Sequence, residues 1–187
     1  MAGDAVAVDD VLDYLNMDTA TMDDQAELEQ YISAAVEVVE MYCGPILVRA
    51  VTDYDHCGDR SVLLEKTPAV ELVSITSVDG AGHDVTGYRV VRESGLLRPA
   101  GAGRMPHGLF DVAYRAGWAE TVTDVPPALA LACQVIVAHL YGDQRRPTLG
   151  PQPDYGDPYP QTPPGSGFAI PYKARDLMAP FRMVLMP

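Results

Sequence analysis

Lysine and arginine are absent from the first 48 of the chain's 187 residues, and the whole chain holds only 13 of them against 26 acids. The resulting net charge of −13 excludes a general nucleic-acid binder, which draws its affinity from basic side chains that neutralise phosphates. The acidity is concentrated. Eleven carboxylates lie within residues 1–48: Asp4, Asp9, Asp10, Asp13, Asp18, Asp23, Asp24, Glu27, Glu29, Glu37 and Glu40. Such a stretch is either a solvated helix surface or an electrostatic face that repels DNA or meets a basic partner. Cysteine is also scarce. Cys43, Cys57 and Cys133 form no CxxC pair, which excludes a disulfide framework and a zinc ribbon and fits a reduced cytosolic origin. The acidic N-terminus offers no basic segment followed by an apolar one, so no signal peptide is expected. No long apolar run is present either. Val125 to Tyr141 is interrupted by Pro126, Pro127, Gln134 and His139. Its 14 residues from Ala128 would span about 21 Å as a helix, short of a bilayer core of about 30 Å. It is expected to be a buried helix, with no membrane partner.

What is present alternates between two periods. Val8, Val11, Leu12 and Leu15 fall at helical spacing and predict a short first helix, 9–16. A longer one, 23–43, carries the stripe Leu28, Tyr31, Ile32, Ala35, Val39 and Tyr42. Thr21 and Asp24 give it a loose capping box, and Gly44-Pro45 a stop, with Gly44 as a left-handed cap. From 46 to 116 the period becomes two. Strands are predicted at Leu47–Tyr54, Ser61–Glu65, Glu71–Asp79, Tyr88–Val91, Leu96–Arg98 and Leu109–Arg115. Their short connections demand antiparallel pairing in one small twisted sheet. A third helix, 125–141, is apolar almost all round, so it should be the centre of the core or be partly covered by a neighbouring subunit; Gly142 is its expected cap. The fold class is therefore α+β: a small helical bundle with an inserted antiparallel β region, the core ending at 142. Residues 143–171 are rich in proline and glycine and predict an extended arm. A last helix and tail, 172–187, place Ala174, Leu177, Met178 and Phe181 on one face, with Pro180 to kink or end it. That face either folds back on its own core or docks on a neighbour or partner, and the reach of the arm tips the expectation toward docking.

Chemistry is hard to find. His56 adjoins Cys57 but no second ligand pair has metal spacing, and His83 and His107 fall in predicted loops. His139 and Cys133 on the apolar helix are expected to be core or interface residues. Gly101-Ala102-Gly103 and Gly165-Ser166-Gly167 lack the further residues of nucleotide-binding loops, and no GxSxG elbow occurs. The groups Asp9/Asp10/Asp13 and Asp23/Asp24/Glu27 lack the glycine and terminal glutamate of a calcium loop. No catalytic residue, metal site or cofactor is expected.

The order of elements is more telling. Four patterns carry it: Val11-Leu12-Asp13-Tyr14-Leu15 followed by Asp23-Asp24; the helix from Leu28 to Tyr42 ending in Cys43-Gly44; Val112 to Trp118; and Val125-Pro126-Pro127-Ala128-Leu129. Leu177 to Arg182 supplies an echo at the C-terminus. Together they resemble the head–tail connector (adaptor) family of long-tailed bacteriophages and prophages. The β region is longer than in compact members, and the arm is unusually long. The resemblance implies a non-enzymatic structural protein of the virion neck, present in the host cytoplasm during assembly. It would form a homo-oligomeric ring of about twelve copies under the portal protein. The ring would extend the DNA channel, let double-stranded DNA pass without sequence-specific binding, and carry a stopper, tail-completion or tail-terminator protein. It also implies that Tyr172, Leu177, Met178, Phe181, Arg182 and Val184 touch the portal or a neighbouring subunit. Asp9, Asp10, Asp13, Asp23, Asp24 and Glu27 are the candidates for an acidic channel wall or rim. The alternatives are a stopper or tail-completion factor, a non-viral binding module that uses its Pro-rich arm, and a small hydrolase or metal-dependent enzyme using His56, Cys57 and Asp59.

Overall fold

A computed structural model describes residues 5–17, 21–57, 60–145 and 169–183. The fold is α+β, with four helices and seven strands among these residues. Helix α1 (Val8–Leu15) stops at Asn16, whose left-handed backbone lets its amide bond back to the Leu12 and Asp13 carbonyls. Helix α2 (Met22–Cys43) opens on a complete capping box. The Asp24 amide donates to Thr21 Oγ1 at 3.2 Å and the Thr21 amide to Asp24 Oδ2 at 3.1 Å, so the shorter aspartate does reach back.

Gly44 ends α2 with φ +78° and ψ −178°, an extended positive-φ conformation in place of the expected left-handed cap. Its reason is tertiary. A Cβ here would lie 1.7 Å from the carbonyl oxygen of Thr67, so only glycine admits that strand connection.

The β region forms two sheets where one was expected. Strands β1 (Arg49–His56), β3 (Ala69–Ser77), β4 (Gly82–His83) and β7 (Phe110–Ala116) make an antiparallel sheet in the order β1-β7-β3-β4. Strands β2 (Val62–Leu63), β5 (Tyr88–Val91) and β6 (Leu96–Pro99) make the second, in the order β2-β6-β5. Strand β7 alternates strictly, turning Phe110, Val112, Tyr114 and Ala116 inward. Against it the second sheet sets Val62 and Leu97, so two sheets enclose a core that one sheet would leave open to water. The missed strand β4 places His83 in a pair with Ile75, not in a loop.

Helix α3 (Pro127–Arg145) starts with Pro127 in its first turn and runs through Gly142, which is not its cap. A glycine inside a helix costs about 1 kcal/mol, which the packing of α3 against α2 and the C-terminal helix offsets. Leu129, Ala132, Cys133, Ile136 and Val137 are buried against α1 and α2.

Helix α4 (Tyr172–Met178) is followed by a tight 3₁₀ turn, Ala179–Phe181, in which Pro180 is accommodated. This helix folds back onto α3, which corrects the expectation that its apolar face is left for another chain. The cause is the all-round apolarity of α3. One flank stays uncovered by α1 and α2, and Ala174 and Met178 fill it, at 0% and 2% exposure. The Pro/Gly-rich stretch 146–168 and the tail 184–187 lie outside the described residues.

Candidate functional site

The two cores meet at a tight junction. At Gly117 an added Cβ would fall 2.5 Å from the Val48 backbone, and Trp118 Nε1 donates to the Cys43 carbonyl at 2.8 Å. Phe181 packs edge-on to Trp118 with ring centroids 4.9 Å apart. The end of the C-terminal helix is thereby tied to the seam between helices and sheet, and the Met183 amide adds a bond to the Tyr42 carbonyl.

Around this frame the six C-terminal candidates divide. Met178 belongs to the chain's own core, and Leu177 and Phe181 are half-buried against it. Tyr172, at 77% exposure, and Arg182 remain available at the surface. Val184 lies outside the described residues. The acidic candidates divide as well. Asp9, Asp10, Asp13 and Asp23 are exposed, whereas Asp24 is held in the capping box and Glu27 accepts the Tyr31 hydroxyl at 2.8 Å.

The residues weighed for metal chemistry do not assemble. His56 turns inward toward Asp53, Cys57 is exposed, and Asp59 lies outside the described residues. Among the described residues no group of three His, Cys, Asp or Glu could hold a metal ion, and no helix is long and apolar enough to cross a membrane.

Asp53 anchors a buried polar cluster instead. Its carboxylate accepts the Glu65 amide at 2.8 Å and the Tyr114 hydroxyl at 3.0 Å, and Tyr114 in turn accepts the Lys66 amide at 2.9 Å. His56 Nε2 stands 3.5 Å from the same carboxylate, at ion-pair rather than hydrogen-bond distance. Burial pushes the Asp53 pKa upward, but His56, the Glu65 amide and the Tyr114 hydroxyl together outweigh it and hold the carboxyl below its ordinary value. Burial raises the Tyr114 phenol, with Asp53 adding to it. The cluster joins β1, β7 and the segment leading to β3, so its work is structural.

A cationic cleft is the feature that sequence reasoning missed. Arg60, Arg89, Arg98 and Arg104 surround an open depression of about 620 Å³ floored by Pro99 to Gly103. Arg89 and Arg98 face each other directly across the β5–β6 pair, and both are exposed. Their equal spacing from the Glu93-Ser94 turn was the available signal, since a hairpin brings such positions opposite each other. Among the described residues no carboxylate forms an ion pair with any of the four. By contrast, Arg115 on the larger sheet is clamped by Glu71 and Glu120.

Two packed units, one helical and one of twisted antiparallel sheets, share the seam to which the C-terminal helix is tied. Solved structures share this fold. The chain is similar to a subunit in the neck of an empty gene transfer agent (GTA) particle computed with C6 symmetry, at TM-score 0.69 and 19% identity over 98% of this chain and 92% of that one. It is similar also to one in the neck of the native particle computed with C12 symmetry (TM-score 0.66, 19% identity, 96% and 90% covered). A third likeness is to a chain in the virion of the native particle (TM-score 0.61, 20% identity, 98% and 92% covered). No curated protein matches. The family model for head completion protein matches residues 5–148, and the chain belongs to that family.

Proposed function

We propose that this protein is an adaptor of the head–tail neck, forming a ring of about twelve copies beneath the portal. The ring extends the DNA channel and offers a platform to a stopper or tail-completion protein. The observation that carries this reading is the head completion match over residues 5–148, joined to a neck-subunit fold spanning almost the whole chain. Charge supports it. A net −13 per copy, repeated around a ring, repels packaged DNA, so a conduit built from it does not retain phosphate. The exposed Asp23 is assigned to the rim of that conduit. Tyr172 and Arg182, the accessible part of the C-terminal set, are assigned to the portal or the neighbouring copy, and Val184, which lies outside the described residues, is assigned with them.

Native mass measured on the protein alone and mixed with portal rings from the same genome tests the proposal. The expected result is a gain of about twelve subunit masses on the portal ring. A folded protein that stays monomeric in that mixture refutes the portal contact and moves the assignment to the tail side of the neck.

A further inference from the structure

We infer that the four-arginine cleft is the docking site for helix α1 of a second copy of this chain, an inference that rests on the ring reading above. A closed ring is built from heterologous contacts, in which one surface of a subunit meets a different surface of the next. Such a contact needs two unlike, complementary patches on one chain. Both are present here, and each contains like charges set close together in the isolated subunit.

On the cleft side, Arg89 and Arg98 lie directly opposite each other on antiparallel strands, and like charges in that arrangement repel. Arg60 and Arg104 add two more guanidiniums around the same depression, in a chain that is otherwise strongly acidic. An arginine fork binds carboxylate through paired N–H donors, so a carboxylate-bearing segment is a chemically suited occupant.

On the helix side, Asp9, Asp10 and Asp13 are all exposed, and none forms an ion pair among the described residues. Asp9 and Asp13 stand one turn apart on one face, where like charges destabilise a helix. Asp13 also sits in the last turn, at the negative end of the helix dipole. Three carboxylates within two helical turns match four guanidiniums around one cleft. The two patches lie on separate cores, α1 on the helical one and β5–β6 on the sheet one, and so are different surfaces of one subunit.

Native mass and sedimentation of the full-length chain, alone and with portal rings, test this docking. The variants are Arg89→Glu/Arg98→Glu, Asp9→Lys/Asp13→Lys, and all four substitutions in one chain. Arg89→Gln/Arg98→Gln serves as a milder control, with circular dichroism to verify folding. Each double reversal is expected to weaken copy–copy association about tenfold or more, and the combined chain to recover most of that loss. Wild-type rings that survive both reversals overturn the docking and leave the ring intact. Loss in both without recovery in the combined chain overturns the pairing. Failure of the wild-type chain to assemble, alone or on the portal, overturns the ring reading itself. Anisotropy of a labelled DNA duplex separates the remaining occupant. Duplex binding abolished by Arg89→Glu/Arg98→Glu, with assembly unchanged, assigns the cleft to phosphate and overturns the proposal.

Discussion

Replacing Asp53 by alanine removes the acceptor at the centre of the buried cluster. The Glu65 amide, 2.8 Å from Asp53, loses its acceptor, and the Tyr114 hydroxyl loses its own at 3.0 Å. Asp53 is only 3% exposed, so water does not readily replace it. An orphaned buried donor costs about 1–3 kcal/mol, and the buried Tyr114 hydroxyl together with the partly buried Glu65 amide places the loss near ~3 kcal/mol. For a domain of this size that corresponds to a fall in Tm of about 6–12 °C. Urea unfolding followed by the fluorescence of Trp118, the one tryptophan in the chain, and by circular dichroism measures it. Tyr114→Phe should cost about 1–2 kcal/mol, and the double variant less than the sum, because the two side chains share one bond. The cluster also imposes a pH dependence. Asp53 has a lower pKa folded than unfolded, so the unfolded chain binds more protons as acid is added. The contribution is fully present above the ordinary carboxyl value of 3.8 and is lost as pH falls through the lower folded value. Asp53→Ala should therefore flatten the acid limb of the stability profile. A loss below about 0.5 kcal/mol, or an unchanged acid limb, refutes this account of the cluster.

Three further outcomes follow from the packing. Gly44→Ala forces a Cβ against the Thr67 carbonyl at a positive φ, and should cost about 3 kcal/mol or more; a Tm within 2 °C of wild type, by calorimetry, contradicts the close approach. Phe181→Ala removes the edge-on contact with Trp118 and should cost about 1–2 kcal/mol while shifting tryptophan emission; unchanged emission would place α4 away from the seam. The thiols should react unequally with a disulfide reagent near pH 8. Burial pushes Cys43 up to about 11, with Arg182 partly opposing, and Cys133 up to about 12, whereas Cys57 is exposed. One fast equivalent and two that appear only on unfolding are expected, and three fast equivalents would refute the burial of the pair.

Much of the fold was legible because it is written in local periodicity. Residues 8–15 and 22–43 declare themselves helical by the spacing of Val11, Leu28, Ile32, Ala35 and Val39, and each of these is buried. The capping box at Thr21 and the strict alternation of β7 were visible for the same reason: a cap or a pleat involves neighbours in sequence. The absence of basic residues before Arg49 likewise located the acidic stretch of the chain without a structure.

Tertiary structure decided what depends on distant partners. A period of two predicts strands but not which strands pair, so the division of the β region into two sheets emerges only when β7 slots between β1 and β3. Gly142 looks like a stop until packing carries α3 past it. The apolar face of α4 could belong to any apolar surface, and its destination was settled by the flank of α3 left bare by α1 and α2. The four arginines of the cleft are scattered from 60 to 104, and only a hairpin and a turning loop gather them. Sequence alone determined which residues seek burial and where acid accumulates, because those are properties of side chains and their near neighbours. Which surfaces meet was decided by the fold, because a contact between distant residues is chosen by the geometry of everything between them.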